Sequence, residues 1–325
     1  MQRDSGTMTD GTRRVAAIDC GTNSIRLLVA DVEGDKLTDV ERRSDVVRLG
    51  FGVDRTGVID PEAMARTLAM CETYAESCRA HRVSGIRFVA TSASRDARNA
   101  GEFVAGVVRV FGAAGFEVRP EVISGHEEAA LSFRGATGAL AAAGYAGPYL
   151  VVDLGGGSTE LVRGTDAVEA AYSMDIGSVR MTERHLASDP PTDEEVAAAV
   201  SDVLDALATA EEDVPLSGIR TLVGVAGSIT TVTAHALRLP AYDRTAIDLA
   251  RLSSDAVVAA CDDLLHATRA ARKALPYMHP GRVDVIGGGA LVWREVVLRM
   301  AAEGVTDVVT SEHDILDGIA LSIAD

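Results

Sequence analysis

An α/β architecture built as two related lobes is what this sequence predicts, on three observations. The chain has 325 residues, and at about 100 to 200 residues per domain that length accommodates two domains, each with its own core. Apolar strand patterns alternate with helical ones, the order expected of mixed sheets covered by helices. One strand, turn, strand pattern also occurs twice: Asp19 and Asp153, 134 residues apart, each end an apolar strand, open a D-x-G turn closing on a serine, and lead into a second apolar strand. That spacing is too long for a solenoid repeat and suits a duplicated lobe.

In chain order, RRVAAIDCGTNSIRLLVADVEGD (13–35) reads as strand, glycine-containing turn, strand. Residues 61–81 have helical apolar spacing, with Pro61 at the first position. IRFVATSAS follows as strand and turn, 95–115 as a helix, and 116–124 as a strand with Pro120 at its edge. GPYLVVDLGGGSTELVRGTD (147–166) repeats the first hairpin's plan. Beyond it the pattern predicts a helix over 192–213, strand TLVGVAG (221–227), a helix from Ser228, a helix over 253–275, strand VDVIGGG (283–289), a helix over 290–303 and a last helix near 314–325. The boundary between lobes falls at 123–125.

Composition excludes several classes. Hydrophobic residues at 47% and charged residues at 24% fit neither a disordered nor a fibrous chain. No apolar run approaches the roughly 20 residues of a membrane span, and the polar opening MQRDSGTMTDGT has no signal-peptide core. Cys20, Cys71, Cys78 and Cys261 form no CxxC pair, which suits a reducing compartment, and the expectation is a cytoplasmic protein without a zinc site. A net charge of -17 argues against nonspecific nucleic-acid binding. That charge is uneven, -1 over residues 1–125 and -16 over 126–325, so a bound polyanion is expected against the first lobe.

The two D-x-G turns carry the chemistry. Asp19-Cys20-Gly21-Thr22-Asn23-Ser24 and Asp153-Leu154-Gly155-Gly156-Gly157-Ser158-Thr159-Glu160 contain glycines that let backbone approach a ligand, and successive N–H groups that can cup an anion. The same residue types also make ordinary hairpin turns. Two copies, each with a carboxylate ending an apolar strand, favour phosphate and metal: the strand has no packing use for aspartate, whereas magnesium is held by carboxylates and substrate phosphates. Val225-Ala226-Gly227-Ser228 and Ile286-Gly287-Gly288-Gly289 are strand, glycine turn, helix units, either routine junctions or helix N-termini facing phosphate.

Ser124-Gly125-His126-Glu127-Glu128 opens a helix at the lobe boundary. Ser124 and Glu127 fit a capping box, which leaves Glu128 either as a first-turn acid or as a base for attacking water, with His126 its rival. Arg95 falls at a predicted helix N-terminus, where a cation is disfavoured; Asp96 or a bound phosphate would compensate it. Cys20 reads as a small buried residue rather than a nucleophile.

DCGTNSIRLL, ATSASRDA, ISGHEEA, VVDLGGGSTELV, GVAGSITT and VIGGGAL, in this order and spacing, resemble the exopolyphosphatase and guanosine pentaphosphate phosphohydrolase family, within the superfamily of sugar kinases, heat-shock cognate proteins and actin. The likeness runs from about residue 14 to the C-terminus. It implies two ribonuclease-H-like lobes around a cleft, residues 13–123 and 124–313, with the final helix (314–325) crossing back to the first. It implies that Glu128 is the base for water and that Asp153 and Glu160, with Asp19, organise magnesium. Gly155, Gly156, Gly157 and Ser158 would form one phosphate loop, Gly21, Thr22, Asn23 and Ser24 the other, and Arg95 would contact phosphate.

The implied reaction is hydrolysis of terminal phosphate from inorganic polyphosphate by a homodimer, with guanosine pentaphosphate as the alternative substrate. Long members add a His-Asp phosphohydrolase-like domain. Here His313-Asp314 is a lone dipeptide and a short form is expected. Two other classes would use the same loops: a kinase-like phosphotransferase acting on a small acceptor, and a non-catalytic sensor of polyphosphate or nucleotide.

Overall fold

The computed structural model describes residues 12–323. The first half contains β1 (Arg13–Cys20), β2 (Ser24–Glu33), β3 (Lys36–Val46), α1 (Val53–Thr56), α2 (Pro61–Ala80), β4 (Gly85–Ala90), α3 (Ser92–Asp96), α4 (Ala100–Ala113), β5 (Glu121–Val122) and α5 (Gly125–Thr137). There follow β6 (Tyr149–Leu154), β7 (Thr159–Gly164), β8 (Val168–Met174), α6 (Ser178–His185), α7 (Asp193–Asp213), β9 (Thr221–Val225), α8 (Ala226–Ala236), α9 (Arg244–Ile247), β10 (Arg251–Ser253), α10 (Ser254–His266), α11 (Arg269–Ala274), α12 (Ile286–Ala302), β11 (Asp307–Thr310) and α13 (Ile315–Ser322). The end of the expected last helix, 324–325, lies outside the described residues. No helix among the described residues is long and apolar enough to cross a membrane.

The strands form two sheets of one plan, in the orders β3-β2-β1-β4-β5 and β10-β11-β9-β6-β7-β8. In each, a three-stranded antiparallel meander (β1–β2–β3, β6–β7–β8) is flanked by a strand parallel to its first member. Strand alternation then sorts the side chains. On β1, Ala16, Ile18 and Cys20 pack under α2 and α4 with Tyr74, Phe103 and Phe111. Val15 and Ala17 face the other way, against Ile315, Leu316 and Ile319 of α13. On β6, Leu150, Val152 and Leu154 enter the large second core, whereas Tyr149 and Val151 pack on Ala129 and Phe133 of α5. The two helices are thus exchanged: α5, which follows the first sheet, covers the second, and α13, which follows the second, covers the first.

Where α5 and α13 cross, each contributes a glycine. A Cβ at Gly135 would lie 1.9 Å from the Asp314 carbonyl oxygen, and one at Gly318 would lie 2.0 Å from that of Leu131. Beside the crossing, Asp317 accepts hydrogen bonds from Arg42 (2.5 and 3.0 Å) and pairs with His313 Nδ1 (2.8 Å). Burial alone would raise the Asp317 carboxyl, but His313 and Arg42 outweigh it and hold it well below the usual range.

Several expectations need correction. The expected strand 283–289 is a turn leading into α12, whose first turn contains Gly287, Gly288 and Gly289. These glycines serve packing: a Cβ at Gly288 would come within 2.6 Å of Thr182 Oγ1, and one at Gly289 within 2.5 Å of Ser228 Oγ. The helices expected over 95–115 and 253–275 are each broken in two, and Thr268 caps the restart at α11. The strand expected over 116–124 shrinks to Glu121–Val122, and α8 starts at Ala226 rather than Ser228. Strands β3 and β8 gave no clear apolar signal because neither is packed deeply; backbone pairing to β2 and β7 forms them.

Two outcomes follow from the crossing. Gly135→Ala should lower stability by about 1–3 kcal/mol through overpacking, read by chemical unfolding; an unchanged midpoint would remove the close approach. Hydrogen bonding to Asp317 raises the His313 pKa above 6.5, with Asp248 adding to it and burial and Arg42 opposing. A raised folded pKa gives stability that is complete below the unfolded value and lost as pH climbs through the folded one. His313→Gln should therefore destabilise more near pH 5.5 than near pH 8.5, and an equal loss at both would contradict the pairing.

Candidate active site

The alternation that buries Val15 and Ala17 also turns Asp19 toward the N-terminus of α13, and its cross-strand partner on β2 is Arg26. In the second sheet the same register opposes Asp153 and Glu160, facing α5. The hairpin turns have one geometry: Gly21 N–H donates to the Ser24 carbonyl at 2.9 Å and Gly155 N–H to that of Ser158 at 3.0 Å. The loops meet across the cleft. A Cβ at Gly156 would lie 2.9 Å from Thr22 Cβ, and one at Gly157 would lie 2.8 Å from both Thr22 Oγ1 and Ser92 Oγ. Only glycine permits this approach.

Between the loops is a cavity of about 80 Å³ that Asp19, Thr22, Asn23, Glu128, Asp153 and Ser158 help to line. Arg26 donates Nε and an NH₂ group to Asp19 (2.9 and 2.6 Å) and its other NH₂ group to Asp314, which caps α13. Asp153 accepts from Ser132 of α5, and Glu160 accepts from Ser173 at 2.8 Å. Glu128, 8% exposed, accepts from Arg95 at 2.6 Å.

Five carboxylates, Asp19, Glu128, Asp153, Glu160 and Asp314, thus share this region with three guanidiniums, Arg26, Arg95 and Arg282. Burial is the main force raising the Asp19, Glu128, Asp153 and Glu160 carboxyls. Arg95 opposes it at Glu128 and Arg26 at Asp19, while Glu128 and Asp153 raise Glu160 further. Among the described residues no three His, Cys, Asp or Glu side chains form a ready-made metal cage.

Gly21, Ser24, Gly155 and Gly156 line the same cavity, whereas Gly157, Glu160 and Arg95 stand behind its walls. Arg95 lies in the last turn of α3, not at a helix N-terminus, and is compensated by Glu128; Asp96 pairs with Arg180 instead. Ser124 does accept from the Glu127 N–H, but the Glu127 carboxylate goes to Arg87 at 2.6 Å, so only half of the capping box forms. His126 is exposed, and Cys20 is buried with its thiol pushed well up by desolvation, as a core residue. Gly227 reaches the cavity and Gly287 does not.

Sequence reasoning missed Arg26, Ser132, Ser173, Asp314 and Arg282, which also lines the cavity. Arg26 was within reach, because a three-residue turn after Cys20 sets the register that opposes it to Asp19. Asp314 and Asp317 spell a D-x-x-D cap at the last helix. Across the cleft mouth, Arg180 and Arg184 of α6 grip Asp54 at 3.1 and 2.8 Å.

The match to the Ppx/GppA phosphatase family covers residues 28–323. The chain is 52% identical to "Exopolyphosphatase 2" of Mycobacterium tuberculosis, over 96% of this chain and 98% of that one. A crystallised exopolyphosphatase-like protein is 46% identical with a TM-score of 0.92, covering 97% and 98% of the two chains. The PPX-GPPA enzyme of Aquifex aeolicus is 28% identical with a TM-score of 0.76, covering 96% and 99%. The architecture is the two-lobe actin-like fold, and with matches spanning nearly its whole length this chain belongs to the Ppx/GppA phosphatase family.

Proposed function

We propose that this chain is an exopolyphosphatase, a phosphoanhydride hydrolase that removes the terminal phosphate of inorganic polyphosphate with water. One observation carries the reading: two phosphate-type loops and a buried glutamate with a raised pKa converge on one cavity. The exopolyphosphatase named among its relatives supports it. The working division is a first lobe of residues 13–123 completed by the last helix, and a second lobe of 124–313, with the cleft between them.

Backbone N–H groups of the two loops and the Ser24 and Ser158 hydroxyls bind the terminal phosphates. Glu128 accepts a proton from water as the water oxygen attacks the terminal phosphorus. The bridging P–O bond breaks, its electron pair leaves on the shortened chain, and inorganic phosphate is the second product. A raised pKa makes Glu128 a better base near neutrality than an exposed carboxylate, and Arg95 fixes its orientation. Negative charge in excess of the guanidiniums fits a divalent cation, with Asp19 and Asp153, which line the cavity, as the residues that would hold it and Glu160 behind the wall adding to the negative field. Magnesium needs only one or two carboxylates beside water and phosphate, so no complete protein cage is required. When bound, magnesium neutralises phosphate charge.

A cavity of about 380 Å³ adjoins the loop cavity, sharing Arg26, Gly227 and Arg282, and adds Tyr242 and Tyr277. Its aromatic and arginine lining favours a second reading, hydrolysis of guanosine pentaphosphate by the same residues. Phosphate release from both substrates separates the two, and a phosphorylated acceptor among the products would instead mark a kinase-like transferase. Four buried free thiols support a cytoplasmic enzyme, and family likeness supports a homodimer.

Glu128→Gln should lower kcat for polyphosphate roughly 10²- to 10⁴-fold while the melting temperature stays near that of the parent; normal turnover would remove Glu128 from the chemistry. Chelating divalent cations should abolish phosphate release and added Mg²⁺ restore it, and Asp153→Asn should raise the Mg²⁺ concentration needed. Full turnover in chelator would refute the cation assignment.

A further inference from the structure

We propose that the first lobe carries a second anion-binding surface, a groove of Arg48, Arg55 and Arg66, which takes the distal phosphates of a long inorganic polyphosphate whose end occupies the cleft. This rests on the polyphosphate reading above. The groove, about 620 Å³, lies between the segment after β3 and the first turn of α2, within the size range of ligand sites. Arg55 and Arg66 are exposed. Arg55 makes no ion pair among the described residues, and Arg66 donates Nε to the Val47 carbonyl at 2.8 Å, which anchors its stem. Of the two acids in the lining, Asp60 is turned onto the end of α2, accepting from the Glu62 and Ala63 N–H groups. Three arginines stand in this groove against Asp60 and Glu62, on a chain of charge -17, and it lies in the portion that carries only -1.

The groove is tied to the first phosphate loop through the backbone. Val47 and Arg48 N–H donate to the Asn23 carbonyl at 3.0 and 2.8 Å, and Gly50 N–H to that of Thr22 at 2.8 Å. At the rim, Arg48 pairs with Asp284 at 2.8 Å, and the next residue, Val285, lines the loop cavity together with Asn23. A chain leaving past Asn23 and Val285 therefore meets Arg48 first, then Arg55 and Arg66. Because its end is already held, its distal phosphates face these arginines at high effective concentration, so individually weak exposed contacts suffice. A chain that ends before it reaches Arg55 and Arg66 gains nothing from them. Phe51, 61% exposed in the same groove, offers a face on which a nucleobase would stack and which an inorganic chain does not use.

The test is the double variant Arg55→Ala/Arg66→Ala, outside the catalytic set, assayed on tripolyphosphate and on chains of about a hundred phosphates. The long-chain KM should rise roughly fivefold with kcat unchanged, and tripolyphosphate kinetics should not move. Added salt should shrink the difference, and Phe51→Ala should leave both substrates unaffected. Equal effects on both lengths, an unchanged long-chain KM, or a Phe51→Ala loss matching that of the arginine pair (the mark of a nucleotide occupant) each overturns the assignment. Titration of the long chain in magnesium-free buffer reads the groove without turnover. Parent protein that binds but never hydrolyses would defeat the enzymatic reading alone, whereas a variant that binds as tightly as the parent would defeat the groove alone.

Discussion

More negative charge is buried between the two sheets than the protein's own cations neutralise, and much of the architecture serves to hold it there. A lone carboxylate in an apolar interior gives up its charge rather than bear the desolvation cost, which is the direction in which Asp19, Glu128, Asp153 and Glu160 all move. Hydrogen bonds from Ser132 and Ser173, and the guanidiniums of Arg26 and Arg95, reduce that cost without removing it. Such a site is poised for ligands that bring compensating charge of their own, and a polyphosphate that arrives with its counter-cation does so.

Exchange of α5 and α13 is what brings these groups together. Each helix begins at the cleft, α5 with Glu128 in its first turn and α13 with Asp314 as its cap. Each then runs across the sheet of the opposite half. Because the crossing at Gly135 and Gly318 brings backbone against backbone, the two helix starts cannot shift independently. The close fit of Gly156 and Gly157 against Thr22 couples the loops in the same way.

Much of this was legible in the sequence because it follows from local rules. Continuous apolar runs around a glycine turn mark both hairpins, and their repetition marks the duplicated plan, with the loop glycines and Glu128 legible as candidate chemistry. The unread parts depend on tertiary partners. Edge strands β3 and β8 take their identity from a neighbour's backbone rather than from an apolar face. Arg95 becomes intelligible only when α5 delivers Glu128 to it. Gly287, Gly288 and Gly289 look the same in sequence as a phosphate turn, yet Gly288 and Gly289 allow α12 to pack on α6 and α8, and Gly287 lies against Arg272 of α11. A glycine signals close approach without naming what approaches.

The duplicated hairpins also differ at one informative register position. Opposite the strand-ending aspartate, the first copy has Arg26 and the second has Glu160. The first half therefore neutralises its own aspartate, and the second doubles its negative charge at the equivalent point. The same asymmetry runs through the whole chain, -1 in the first 125 residues and -16 in the rest. On the reading proposed above, the first wall is the better surface for phosphate oxygens, its carboxylate being partly offset by Arg26, and the second is the stronger attractor of a cation. Close contact of the loops at Thr22 and Gly156 sets these two unlike surfaces face to face.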